Sequence, residues 1–318
     1  MYAIYPPIFY VLGRYLMDKW FEYKFLILIF LILSFSLPMI IETINDIFLN
    51  GFINLSRGLD LSERNDVAAT LIGAKVSLAV TSIGLVFVKA DNLYEKRIRL
   101  LLLILGFLSL LVTVHLINRT GLVLSFISIV FIVLLNFKNY KKSNILIGLI
   151  LIVILGFLIY PVLDKYDAID AYASREEITD YETKSAGGRT ARWVEGIDYI
   201  VANPLGGGVY LGGARYYAHN LWLDVGEMAG IIPMVLLIVV TILNLKKSAE
   251  LVFKNNNLSF FFKSLIGTIN IGFFLTCFVE PMYEGNFIYV CAYFSFWGMI
   301  SIIYNKENFK FSDIQNEN

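Results

Sequence analysis

Arg189 and Arg192, the glycine run Gly206, Gly207 and Gly208, and His219 fall in one polar stretch between long apolar runs. It reads GGRTARWVEGIDYIVANPLGGG and, a few residues on, HNLWLDVGEMAGI. Arginine grips phosphate or carboxylate through two parallel N–H bonds. Histidine can take up and release a proton near neutral pH. The glycines permit a tight turn, or a loop that presents N–H groups to an anion. His219 is one of only 2 histidines in the chain. It opens a predicted helix with Asn220 beside it and Leu223 and Glu227 further along the same face. The positive end of that helix disfavours an imidazolium, so the ring is expected to be neutral and able to accept a proton. A capping role is the plainer alternative.

Ahead of the glycines, residues 189–202 fit a short amphipathic helix stopped by Asn203 and Pro204. At about 100° per residue Trp193, Ile197, Ile200 and Val201 form an apolar stripe, with Arg189 and Arg192 on its edge and Gly196 beside them. Such a helix suits the membrane interface, its guanidinium groups at lipid-phosphate depth. Ordinary snorkelling, helped by an Arg192 to Glu195 pair, is the competing reading. A second polar interruption, HLINRTGLVLSF, breaks an apolar run at Asn118, Arg119 and Thr120. An arginine at that depth is costly unless it meets a partner or an anion. His115, one turn deeper, is expected to hydrogen-bond within a helix bundle.

These groups must be held by membrane helices. The chain is 58% hydrophobic and 16% charged, with mean hydropathy +0.68, against about 45–50% apolar and 25% charged in soluble proteins. Apolar runs at 25–41, 67–88, 100–117, 122–136, 145–162, 231–245, 265–279 and 287–304 approach or reach the length that crosses a bilayer. A weaker candidate at 2–17 begins near Pro6 and Pro7 and contains Arg14. It shows no basic leader or cleavage site and is not read as a signal peptide. The expected fold is therefore an all-α polytopic integral membrane protein of about eight or nine spans. Its parts are N-terminal transmembrane helices 1–162, a large extracytoplasmic loop 163–218 with short amphipathic helices, C-terminal transmembrane helices 219–304 and a cytoplasmic tail 305–318, all one integrated domain.

Most of the 26 Lys and Arg lie in alternate loops, among them Arg14, Lys96, Arg97, Lys141, Lys246 and Lys306. The positive-inside rule makes those loops cytoplasmic. The arginine, glycine and histidine segment then faces outward, as do the loop 42–66 and the EPMYEGN turn. Lys75, inside a span, is expected to pair within the bundle. Cys277 and Cys291 are read as free and buried, a disulfide being the alternative. No metal-ligand spacing, nucleotide-binding loop or Asp-x-Asp pair is present, so no metal and no cofactor is expected. An outward site without nucleotides draws its energy from the substrate itself. The acidic stretch up to Ser185 reads as a solvated surface, and no nucleic-acid partner is implied.

The order NRTGLVLSF, then GGRTARWVEGIDYIVANPLGGGV, then AHNLWLDVGEMAGI resembles the O-antigen ligase and Wzy-type polymerase superfamily over residues 100–233. The resemblance implies transfer of an oligosaccharide from undecaprenyl diphosphate to a sugar hydroxyl at the outer face of the bacterial cytoplasmic membrane. By position, Arg119, Arg189 and His219 match the catalytic residues, and Arg192 and Arg215 match substrate-binding ones. Asn220 and Gly206, Gly207 and Gly208 join the substrate-binding set. Members of the family carry more spans ahead of the arginine turn than the three or four here, so the chain reads as a short member or as one lacking its first spans. Expected partners are the lipid-linked oligosaccharide, a glycan acceptor, the bilayer and a chain-length regulator protein.

Transfer from a lipid diphosphate needs cations for the leaving group, a base for the acceptor hydroxyl and an apolar groove for the polyprenyl tail. The arginines can supply the first and His219 the second, with inversion at the anomeric carbon. Tyr216, Tyr217 and Trp222 are expected to anchor at the membrane interface, sugar stacking being the alternative. The expected function is polymerisation of repeat units in surface-polysaccharide assembly, O-antigen or capsule. A ligase acting on lipopolysaccharide and a protein O-oligosaccharyltransferase are alternatives, with a lipid-linked-oligosaccharide flippase further off, since no internal repeat is visible.

Overall fold

The computed structural model describes residues 3–50, 63–116, 118–135, 189–207, 210–211, 214–215, 218–255 and 257–316. The expected span 145–162, most of the outer loop, Gly208, Tyr216 and Tyr217 lie outside the described residues. The described elements are almost wholly helical. Among the described residues five helices are long and apolar enough to cross a membrane, at 21–49, 93–115, 231–253, 260–279 and 287–307, with shorter apolar ones at 72–87 and 119–135. This is a multi-pass membrane protein. Its described residues form two compact units, 33–191 on the one hand and 1–32 with 192–318 on the other.

Within unit 33–191 lie most of α2 (Lys24–Asn50), α3 (Glu63–Thr81), α4 (Leu93–His115) and α5 (Arg119–Leu135). The expected span 67–88 is not one uniform helix. It passes from α3 into a 3-10 helix, Ser82–Phe87, where Ser82 Oγ donates back to the carbonyl of Leu78. Such hydroxyl-to-carbonyl bonds compete with the helical ladder and loosen it. The start of α4 is set by Asn92, whose side chain accepts the Glu95 N–H at 2.8 Å. Glu95 in turn accepts the N–H of Asp91, a near-reciprocal cap of the kind that fixes a helix start. Lys75 is half-buried and forms no ion pair among the described residues.

The other unit holds α1 (Tyr5–Lys19), α6 (Arg189–Ala202), a two-residue hairpin β1 (Tyr210–Leu211) and β2 (Ala214–Arg215), α7 (Leu221–Ala229), α8 (Ile231–Phe253), α9 (Phe260–Val279), the single turn α10 (Met282–Gly285) and α11 (Phe287–Asn316). The first residues of α6 fall just outside it. The weak candidate at 2–17 is a helix, with its prolines in the first turn, where their missing N–H groups cost nothing. It packs closely along α11. A Cβ on Gly13 would overlap the carbonyl of Ser295, and one on Gly298 the carbonyl of Tyr10. The core between α9 and α11 is aromatic: Phe273 stacks on Tyr293 at 4.9 Å, and Tyr289, Phe296 and Trp297 are fully buried. Lys24 pairs with the buried carboxylate of Glu307 at 2.9 Å. Cys277 and Cys291 are free and buried. The last helix continues as far as Asn316, into the residues assigned to the tail; no Pro or Gly interrupts them.

Candidate active site

The amphipathic helix expected at 189–202 forms as α6, with the same bounds. Its packing differs from the stripe read in the sequence. Gly196 and Ile200 are buried, Trp193 is half-buried, and Ile197 and Val201 are exposed at 50% and 71%. The cause is the close approach of α7. Gly196 leaves room for the Glu227 carboxylate, whose oxygen lies 2.5 Å from where a Cβ would sit, and Gly226 does the same for Ile200. Trp193 meets Phe278 of α9 edge-on at 5.1 Å. Arg192, half-buried, forms no hydrogen bond or ion pair among the described residues. The Arg192 to Glu195 pair of the snorkelling alternative is therefore not made.

The start of α7 is held at several points. Asn220 is its cap, its side-chain oxygen accepting from the N–H groups of Trp222 and Leu223. The amide nitrogen of Asn220 donates to the carbonyl of Phe278 at 3.2 Å. These bonds fix the Asn220 side chain at the start of α7. One residue earlier His219 has φ 54°, the one left-handed residue other than glycine among the described residues. Histidine visits this region more often than most residues, but the conformation still costs on the order of 1 kcal/mol and persists only where its surroundings impose it. Asp224, 2% exposed, accepts the N–H of Ala218 at 3.0 Å. Asp224 went unnoticed in the sequence because an acid at this position reads as an ordinary first-turn residue.

The glycine run behaves as a turn. Gly206 donates its N–H to the carbonyl of Asn203, and Gly207 donates to Met228. Of the two readings of the glycine run, a tight turn or N–H groups presented to an anion, these bonds to carbonyls fit the turn. Gly206 and Gly230 have φ values of 80° and 95° and lie backbone to backbone. A Cβ on Gly230 would be 2.5 Å from the carbonyl oxygen of Pro204. Gly230→Ala is expected to cost about 1–3 kcal/mol through a left-handed φ and this overlap, read as a lowered thermal transition of the purified protein. The backbone of Arg215 pairs with Tyr210 across the hairpin. Two-residue strands are too short to show an alternating pattern in sequence.

In the other unit, the NRTG turn is fixed by its flanks. The Asn118 side chain accepts the Gly121 N–H at 3.1 Å and reaches into the space that Gly73 leaves open. Gly121 packs against Thr113. Arg119 is the first residue of α5 and is half-buried. His115 is bound to Asp46, Nε2 to Oδ2 at 3.0 Å, as its expected bundle role implies; the partner lies on α2, too far along the chain to be read from sequence. Both α5 and α6 open on arginine with no acid in the first turn. That is the reverse of what the helix dipole favours, and it leaves those ends electropositive. Arg192 and His219 belong to one unit, whereas Arg119 and Arg189 belong to the other.

Residues 101–238 match the O-antigen ligase family. No curated protein matches the chain. The matched segment runs from α4 into α8 and contains Arg119, Arg189, Arg192, Arg215 and His219. The resemblance read over 100–233 holds over nearly the same stretch.

Proposed function

We propose that the protein polymerises oligosaccharide repeat units from an undecaprenyl diphosphate-linked donor at the outer face of the bacterial cytoplasmic membrane. The observation that carries this reading is a histidine held in a left-handed backbone inside the O-antigen ligase segment, on a helix packed against the arginine-bearing α6. The acceptor hydroxyl oxygen attacks the anomeric carbon and its proton passes to the His219 imidazole. The bond from that carbon to the diphosphate oxygen breaks, and the electron pair leaves with the diphosphate. Arg119, Arg189 and Arg192 take up the charge that develops there, and the anomeric centre inverts. Arg215 is proposed as a further contact to the donor. The proton on His219 is then released to water.

An apolar cavity of about 360 Å³ supports a place for the polyprenyl tail. Trp193 and Ile197 of α6, Trp222 and Leu223 of α7, and Phe274 and Phe278 of α9 are among its lining residues. Arg192 immediately precedes Trp193 on α6, so a lipid chain in this cleft starts beside an arginine with no ion pair among the described residues.

The test is the glycan made by a deletion strain. Loss of the long ladder with one repeat unit still attached supports the polymerase. Loss of all attached glycan, with lipid-linked polymer accumulating, makes the protein a ligase instead. An unchanged ladder rejects both.

A further inference from the structure

We propose that Asp224 is a positioning residue for His219, an inference that rests on the reading of His219 as the base. Asp224 Oδ1 accepts the N–H of Ala218 at 3.0 Å, reaching back from the first turn of α7 to the residue just before His219. Both ends of this bond are buried, Ala218 at 0% and Asp224 at 2%. On the other side of His219, Asn220 is fixed by its cap bonds to Trp222 and Leu223 and by its bond to Phe278. The backbone of His219 is thus pinned before and after, two residues apart, and it adopts φ 54° between the pins. Only two of these constraints are visible as ordinary capping. The Asp224 bond is different, because it lies outside the helical ladder and holds the residue that enters the turn.

The pin needs an acceptor, not a charge. An asparagine at 224 keeps an oxygen in reach of the Ala218 N–H, whereas a leucine of similar bulk fills the buried space and offers none. Without the pin His219 is free to relax toward a right-handed φ, which swings the imidazole away from its working position. Misplacement of a catalytic group by about 1 Å is enough to cost on the order of 10²-fold in rate. Donor binding, which in this reading falls to the arginines and the apolar cleft, does not depend on the pin.

The experiment uses the full-length protein in lipid nanodiscs, with the lipid-linked repeat unit extracted from a deletion strain as donor. Asp224→Leu is expected to lower kcat by about 10²-fold with the donor KM unchanged within a few-fold. Asp224→Asn is expected to keep kcat within a few-fold of the parent. Adding Asp224→Leu to His219→Ala should bring no further loss, as expected for groups that act as one unit. A parent-like kcat in Asp224→Leu, or a kcat in Asp224→Asn as low as in His219→Ala, overturns the proposal. If Asp224→Leu does not accumulate in the membrane, the comparison of Asp224→Asn with His219→Ala decides alone. A parent-like kcat in His219→Ala instead overturns the underlying reading of His219.

Discussion

Replacing His219 by alanine is expected to lower glycan transfer by about 10²–10⁴-fold, the usual contribution of a general base, while the protein remains folded. His219 has φ 54°, and an alanine there carries the same backbone strain or more, so a second substitution is needed to separate strain from chemistry. His219→Asn serves, because asparagine tolerates the left-handed region but cannot take up a proton at neutral pH. Both variants should lose activity to the same degree, whereas the asparagine variant should keep the thermal transition of the parent. Retained transfer in either variant would remove the base assignment. Partial recovery of the alanine variant by added imidazole would strengthen it.

Arg119→Lys is expected to fail as completely as a charge-removing change, with transfer lowered by about 10²–10³-fold, the cost of deleting a preorganised donor to a developing anion. The turn around Arg119 is built by other residues, since Asn118 caps α5 and Gly121 packs on Thr113. Lysine at 119 therefore leaves the turn intact. It also preserves the charge and removes only the planar fork that binds two oxygens at once. A thermal transition equal to that of the parent, together with lost transfer, would support diphosphate binding. Full complementation by lysine would show that Arg119 only snorkels to the membrane surface.

Much of the fold is legible before any coordinates. Each expected span among the described residues is helical, because a run of apolar residues long enough to cross a bilayer must satisfy its own backbone and can do so only as a helix. The helix at 189–202 is bounded by Gly188 and Asn203, and both ends were readable as local punctuation. Its packed face was less so. Period alone places Val201 with Ile200, yet Val201 is exposed and Gly196 is buried, because the face that is covered depends on where α7 crosses. The same holds for the glycine run, whose turn was expected but whose N–H partners, Asn203 and Met228, are set by the path of the chain around the end of α7.

The candidate site divides in the same way. The sequence by itself determined that arginines and a histidine sit in polar breaks between membrane spans, since residue types and the lengths of apolar runs are local properties of the chain. It could not determine which polar groups the fold uses internally. Tertiary structure decided that His115 is bound to Asp46, that Asn220 holds the start of α7, that Arg192 has no internal ion pair among the described residues, and that Asp224 pins the residue before His219. The physical reason is that a hydrogen bond needs both partners in place at about 3 Å with correct direction. Chain closure between helices or across a turn meets that condition, and neither composition nor period encodes it.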